Sequence, residues 1–217
     1  MQIFIQFMKF GAKYLTLILA SLLVLSLSFS NLKANEEEKG KVKDYATQVT
    51  GDAIDILNNI KDKKERRGKI ITLFEENVDS NIMANFVIGK YLRELNDAQK
   101  QRYYKIYKEY VINNYVPQFI DYDAGGYGVY QVNEIKENTY LAKVNIRKKK
   151  EKIDVKVDYR IIKNKEGNFK ITDFIGEGVS LIMTQRNDFN AILDQKGVDG
   201  FLNFLSDKVK ELKSKKL

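Results

Sequence analysis

Asp154, Asp158 and Asp173 stand in stretches of alternating hydrophobicity, and a pair of carboxylates is enough for acid–base hydrolysis. In "KIDVKVDYRII" (152–162), however, Asp154 and Asp158 alternate with Ile153, Val155, Val157, Tyr159 and Ile161. Successive side chains of a strand point to opposite faces, so both acids turn away from the apolar side and read as solvated charge. The chain has no histidine and no cysteine. That removes a Ser-His-Asp triad, a thiolate nucleophile, a zinc site built on either residue and an imidazole base. Carboxylate-pair and Ser-Lys mechanisms survive in principle, and an enzyme becomes the minority reading.

Phosphate-binding glycine loops are missing too. No G-x-G-x-x-G opens a helix after a strand, and no G-x-x-x-x-G-K-[ST] occurs. Gly176-Glu177-Gly178 reads as a bend that hands the sheet over to a helix, with Ser180 available as its cap. The run "RKKKEK" (147–152) sits at an expected hairpin tip. Charged tips keep turns soluble; the second reading is a docking point for anionic lipid headgroups or an acidic partner.

The elements that would position such groups begin after an expected export signal. Lys9 and Lys13 end a basic segment, and "YLTLILASLLVLSLSF" (14–29) is uncharged and apolar. That is the layout of a cleavable signal peptide over residues 1–34. A permanent anchor is the alternative, but the run is short of the roughly 20 apolar residues a spanning helix needs. Removal of these residues takes away Lys9, Lys13 and Lys33 and no acid, lowering the net charge from +8 to +5. The remaining residues, 35–217, fit one domain. Their charge is too mild and mixed to argue for nucleic acid. An exported chain without cysteine must rely on its core alone.

Residues 35–43 read as a charged, frayed start, followed by a helix from about Asp44 with Val49, Ala53, Ile56, Leu57 and Ile60 at helical spacing. "KDKKERRGK" reads as a solvated connection, and residues 70–78 as a short helix burying Ile70, Leu73 and Phe74. Residues 78–95 follow as a helix, with Gly89 inside it implying close approach of another backbone. The segment 96–119 is the clearest helix. Asn96 and Gln99 resemble a capping box, Pro117 marks its end or a bend, and Tyr103, Tyr107, Tyr110, Val111 and Tyr115 share a face. This aromatic stripe is either plain core or the wall of a ligand site.

The period then changes from 3.6 to 2. Strands are expected at 127–135, 139–146, 152–162 and 168–175, and helices at 180–196 and 198–213 with Gly197 between them. The expected fold is α+β, a four-stranded antiparallel sheet with helices packed on one face. If helices and sheet meet fully, they make an ordinary core; if they stand apart, they line a cavity. Periodicity alone leaves that open.

The pieces "NIMANFVIGKYLREL", "NDAQKQRYYKIYKEYVINNY", "VDYR", "GNFKITDFIGEGVSLIMTQRNDFNAIL" and "GVDGFLNFL" carry a resemblance. In order and spacing, residues 45–206 resemble the MlaC, or toluene-tolerance, family of periplasmic phospholipid-binding proteins. A tryptophan that the family often has near Leu92, and another near Phe169, are missing here. The resemblance implies no enzymatic activity and no cofactor, only phospholipid as cargo. It implies an apolar pocket that takes acyl chains, and a monomer that shuttles lipid. The implied partners are an inner-membrane ABC transporter with an MCE-domain ring and an outer-membrane lipoprotein–porin complex. Expected wall residues are Val144 and Ile146 on the second strand, Val155, Val157, Tyr159 and Ile161 on the third, and Phe169 and Ile171 on the fourth. Tyr107, Val111, Leu181, Met183 and Phe189 would complete the wall from helices, with Arg186 structural or at the mouth. The alternative is a binding module for another hydrophobic ligand, or an envelope adaptor with a packed core.

Overall fold

The computed structural model describes residues 35–149 and 154–215. The expected signal peptide, Ile153 and the end of the basic hairpin run lie outside the described residues. The chain divides into a unit ending at Lys41 and a second unit, Val42–Leu217. Residues 35–41 of the first are helical rather than frayed, with Glu36–Lys39 and Glu37–Lys41 ion pairs one turn apart.

The second unit opens with a helical stretch ending at residue 59 (α1). Helix α2, Lys63–Asn77, starts two turns earlier than expected, because the Asp62 side chain accepts the Glu65 N–H and caps it. Helix α3, Ser80–Ile88, is capped by Asp79 and stops at Gly89. Gly89 has φ +52°, and a Cβ there would lie 2.8 Å from Arg186 Nη2. A guanidinium, rather than another backbone, presses on this glycine. A 3-10 turn, Gly89–Arg93, leads to α4, Asp97–Phe119, which has the expected Asn96–Gln99 capping box.

The sheet is antiparallel in the order β1 (Ala124–Lys136), β2 (Thr139–Lys148), β3 (Asp154–Lys163), β4 (Phe169–Gly176) and β5 (Val179–Ser180). The expectation of four strands is therefore corrected to five. Glu177 (φ 49°) and Gly178 (φ 85°) form a two-residue left-handed turn of the kind that matches strand twist. It folds the chain back so that Val179 pairs with Gly176 and Ser180 with Ile175. The supposed bend is a hairpin, and the extra strand is only as long as the turn requires.

Ser180 then caps α5, Leu181–Ser214, by accepting the Met183 N–H at 3.1 Å, and Gly197 breaks this helix with φ 64°. The buried carboxylate of Asp173 accepts Ser180 Oγ–H at 2.6 Å and Ile182 N–H at 3.1 Å, with Arg160 Nε 3.8 Å away. It is a second cap for α5 and not half of a hydrolytic pair. Helices α4 and α5 close over an aromatic core in which the Phe201 ring centroid lies 5.8 Å from that of Tyr103 and 5.3 Å from that of Phe189. The α2–α3 junction is pinned to the outer edge of β4 by Asp79 N–H donating to Ile171 O at 3.0 Å.

Candidate functional site

Beside that aromatic core, the contact between helices and sheet is interrupted. A cavity of about 420 Å³ separates them, within the size range of small-molecule sites. Its floor is the sheet: Ile146 of β2, Val155, Val157 and Tyr159 of β3, and Ile171, Phe174 and Gly176 of β4. One side is α1 and α2, through Val49, Ala53, Ile54, Leu57, Ile70, Leu73 and Phe74. The other is the second half of α4, through Val111, Tyr115, Val116 and Phe119.

Strand parity supplies most of the floor, and one irregularity completes it. Arg160 lies opposite Asp173 and Ile161 opposite Ile171, so Thr172 is an extra residue on β4. Such a bulge shifts the alternation by one. It turns Phe174 and Gly176 inward, whereas unbroken alternation from Phe169 and Ile171 would have placed Asp173 and Ile175 there.

The opening lies at the end of the sheet where β1 begins and the β2–β3 and β4–β5 hairpins turn. Phe119 (51% exposed) and Val179 (63% exposed) line the cavity yet face solvent at this end. Arg66 fixes the rim by donating from Nε to Ile60 O at 2.7 Å and from Nη1 to Ile120 O at 2.8 Å, joining the α1–α2 turn to the end of α4.

Polar atoms on the wall are few, and those of Thr50, Tyr159 and Tyr115 are hydrogen-bonded. Thr50 Oγ1 donates to Ala46 O at 2.7 Å, so in its 3.1 Å contact with Tyr159 the phenol is the donor. Tyr115 OH accepts from Gln185 Nε2 at 3.3 Å, and Gln185 Oε1 accepts from Tyr107 OH at 2.6 Å. Burial raises the Tyr159 phenol above its ordinary range, and Tyr107 further still, so both stay neutral at ordinary pH. Among the described residues no group of three acids could hold a metal ion. The wall can enclose an apolar ligand; it offers nothing with which to break a bond.

Of the thirteen residues expected at a wall, the cavity brings together Val111, Ile146, Val155, Val157, Tyr159, Ile171 and Leu181. Tyr107 and Phe189 lie in the aromatic core, Phe189 with its centroid 5.4 Å from Tyr110. Val144 and Ile161 share the face of the floor but are buried in the core beside the cavity, paired across strands with Val129 and Tyr140. Phe169 packs between Tyr45 and Tyr140, centroids 5.7 and 6.4 Å away. Met183 is 52% exposed, because Ile182, Gln185 and Phe189 take the inward face of α5. Arg186 lies against Gly89. The wall residues of α1 and α2 were legible as apolar faces, but nothing in their spacing says they face a cavity.

A search of curated proteins finds the Haemophilus influenzae intermembrane phospholipid transport system binding protein MlaC, 24% identical over 115 residues, which are 52% of this chain and 54% of that protein. The chain thus spans about half the length of the curated relative it matches. Among solved structures, a phospholipid-binding protein from Ralstonia solanacearum, in complex with a phospholipid, superposes with a TM-score of 0.70 at 17% identity, covering 79% of this chain and 98% of that one. That likeness shows a shared fold. The family described as MlaC protein matches residues 47–207, a span that takes in every element lining the cavity, and the chain belongs to this family.

Proposed function

We propose that the protein carries phospholipid, with the acyl chains in the cavity and the headgroup outside its mouth. The observation that carries this reading is the apolar cavity itself, open at one end of the sheet and walled mainly by α1, α2, α4 and the three central strands. The Haemophilus relative, a phospholipid transport system binding protein, and the fold shared with a phospholipid-bound protein support the choice of ligand. On this reading the chain is exported by cleavage of residues 1–34 and works in the periplasm. It exchanges lipid with an inner-membrane ABC transporter bearing an MCE-domain ring and with an outer-membrane lipoprotein–porin complex.

Transfer needs docking for an energetic reason. Two acyl chains hold on the order of 30 methylenes at about 0.8 kcal/mol each, so release into water would cost roughly 24 kcal/mol. Passage from one apolar site to another exchanges like for like, and any direction must come from the partners.

The test is native mass spectrometry of the protein recovered from the envelope fraction without detergent. About one phospholipid per chain is the expected result and identifies the cargo. A bare chain that takes up no lipid from vesicles would overturn the carrier reading, and a different apolar adduct would replace the ligand.

A further inference from the structure

Charged residues are unevenly placed along the end of the sheet at the cavity mouth. On one side the β2–β3 hairpin brings Lys148 and Lys149 against the chain that enters β1. Lys149 N–H donates to Asp123 O at 3.0 Å, and a Cβ on Gly125 would lie only 3.1 Å from Lys149 Cα. The glycine thus permits a backbone approach that a larger residue would block. Lys148 Nζ lies 5.9 Å from the ring centroid of Tyr122, itself a lining residue. Arg147 is engaged separately, bridged to Asp154 at 2.8 and 3.2 Å. Beyond β3 at the same end of the sheet, the β4–β5 turn presents Glu177, whose N–H donates to Lys156 O at 3.0 Å and whose carboxylate accepts Lys156 N–H at 2.8 Å.

We propose that Lys148 and Lys149 form a headgroup subsite that favours phospholipids of net negative charge, holding the phosphate on the β2–β3 side of the mouth. The inference rests on the lipid-carrier reading. A phosphate cannot follow the acyl chains inward, because the lining would strip its water and return few hydrogen bonds. It must stop at the rim, within reach of Lys148 and Lys149. A zwitterionic headgroup brings its own cation and gains less from the lysines. The attraction is that of exposed charges, so it is modest and falls with salt.

The test compares the full chain with Lys148→Glu/Lys149→Glu, using dihexanoyl phosphatidylglycerol and dihexanoyl phosphatidylcholine as soluble monomers, with no membrane present. Wild type should bind the glycerol lipid roughly fivefold more tightly, about what one or two exposed ion pairs supply. The ratio should fall to near one in the double variant and in about 1 M salt, where screening acts within roughly 3 Å. Lys136→Glu/Lys165→Glu, the same charge change at the far end of the sheet, should leave the ratio intact.

Equal affinities in wild type, or a ratio the double variant does not move, would overturn the subsite while leaving the carrier reading in place. A preference seen only with anionic vesicles would make the lysines a membrane contact instead. Equally tight binding of inorganic phosphate alone would make them a simple ion site. Failure of both lipids to bind would remove the carrier reading, and the subsite with it.

Discussion

The two halves of α4 carry the same kind of face and come to different ends. Tyr103 and Tyr107, in the first half, are fully buried against Phe189 and Phe201 of α5. Val111, Tyr115, Val116 and Phe119, in the second, look across a gap at α1, α2 and the sheet. Side-chain chemistry does not separate the halves; what stands opposite does. In the first half α5 lies close enough to interlock rings. Beyond it the chain has turned from α5 into β5 and β4, and nothing occupies the space. The aromatic stripe is therefore core at one end and ligand wall at the other.

The sharpest way to break the comparison is to remove packing from the closed half. Phe201→Ala deletes a fully buried ring between Tyr103 and Phe189 and should cost about 3–5 kcal/mol in urea unfolding. Lipid retained by the chains that still fold should be unchanged. A loss of lipid in proportion to stability would mean that the halves are one cooperative unit.

A smaller effect tests the polar link from the core to the cavity. Tyr107→Phe leaves Gln185 Oε1 without its 2.6 Å donor and should cost about 1–3 kcal/mol, the penalty for stranding a buried acceptor. The tyrosines also set an alkaline limit. Burial lifts Tyr103 and Tyr107 well above 10, whereas half-exposed Tyr110 rises to about 12. A phenol raised on folding contributes stability that is complete below its unfolded value near 10 and is lost as pH climbs towards the folded value. Phenolate absorbance should thus rise together with loss of structure above about pH 10. Ionisation of these two before unfolding would mean the closed half is open to water.

The open half should respond in function rather than in stability. Gly176 pairs with Val157 and faces the cavity, and a Cβ there meets nothing within 4 Å. Gly176→Phe should fill the mouth, change stability by less than about 1 kcal/mol, since a strand prefers aromatic residues to glycine, and sharply reduce bound lipid by native mass spectrometry. Unaltered retention would place the ligand's path elsewhere.

Much of this was legible in the sequence, and what was not has physical reasons. The capping box at Asn96 and the alternation in β3 are local patterns, and both elements stand where local rules put them. The start of α2 was obscured because its first two turns hold only charged residues and Gly68, although Asp62 and Glu65 hold the cap signal. A two-residue strand is too short to have a period, so β5 could only be seen once Glu177 and Gly178 took left-handed conformations. The cavity was half legible. Parity gave Val155, Val157 and Tyr159, whereas Phe174 required the bulge at Thr172. The walls from α1 and α2 depend on a distance between elements, which no residue pattern encodes.

The smallest expected effect contrasts the same substitution in the two halves. Tyr159→Phe removes a phenol from the cavity floor, as Tyr107→Phe removes one from the core. Here the partner keeps its own bond. Thr50 still donates to Ala46 O and loses only an incoming hydrogen, so the cost should stay within about 0.5–1 kcal/mol, the net worth of one hydrogen bond. The wall becomes more uniformly apolar, and lipid retention should hold or rise slightly. A loss comparable to that of Tyr107→Phe would mean that the Thr50–Tyr159 contact braces α1 against the sheet, and that the gap between them is held open by this pair rather than left unfilled by the chain's course.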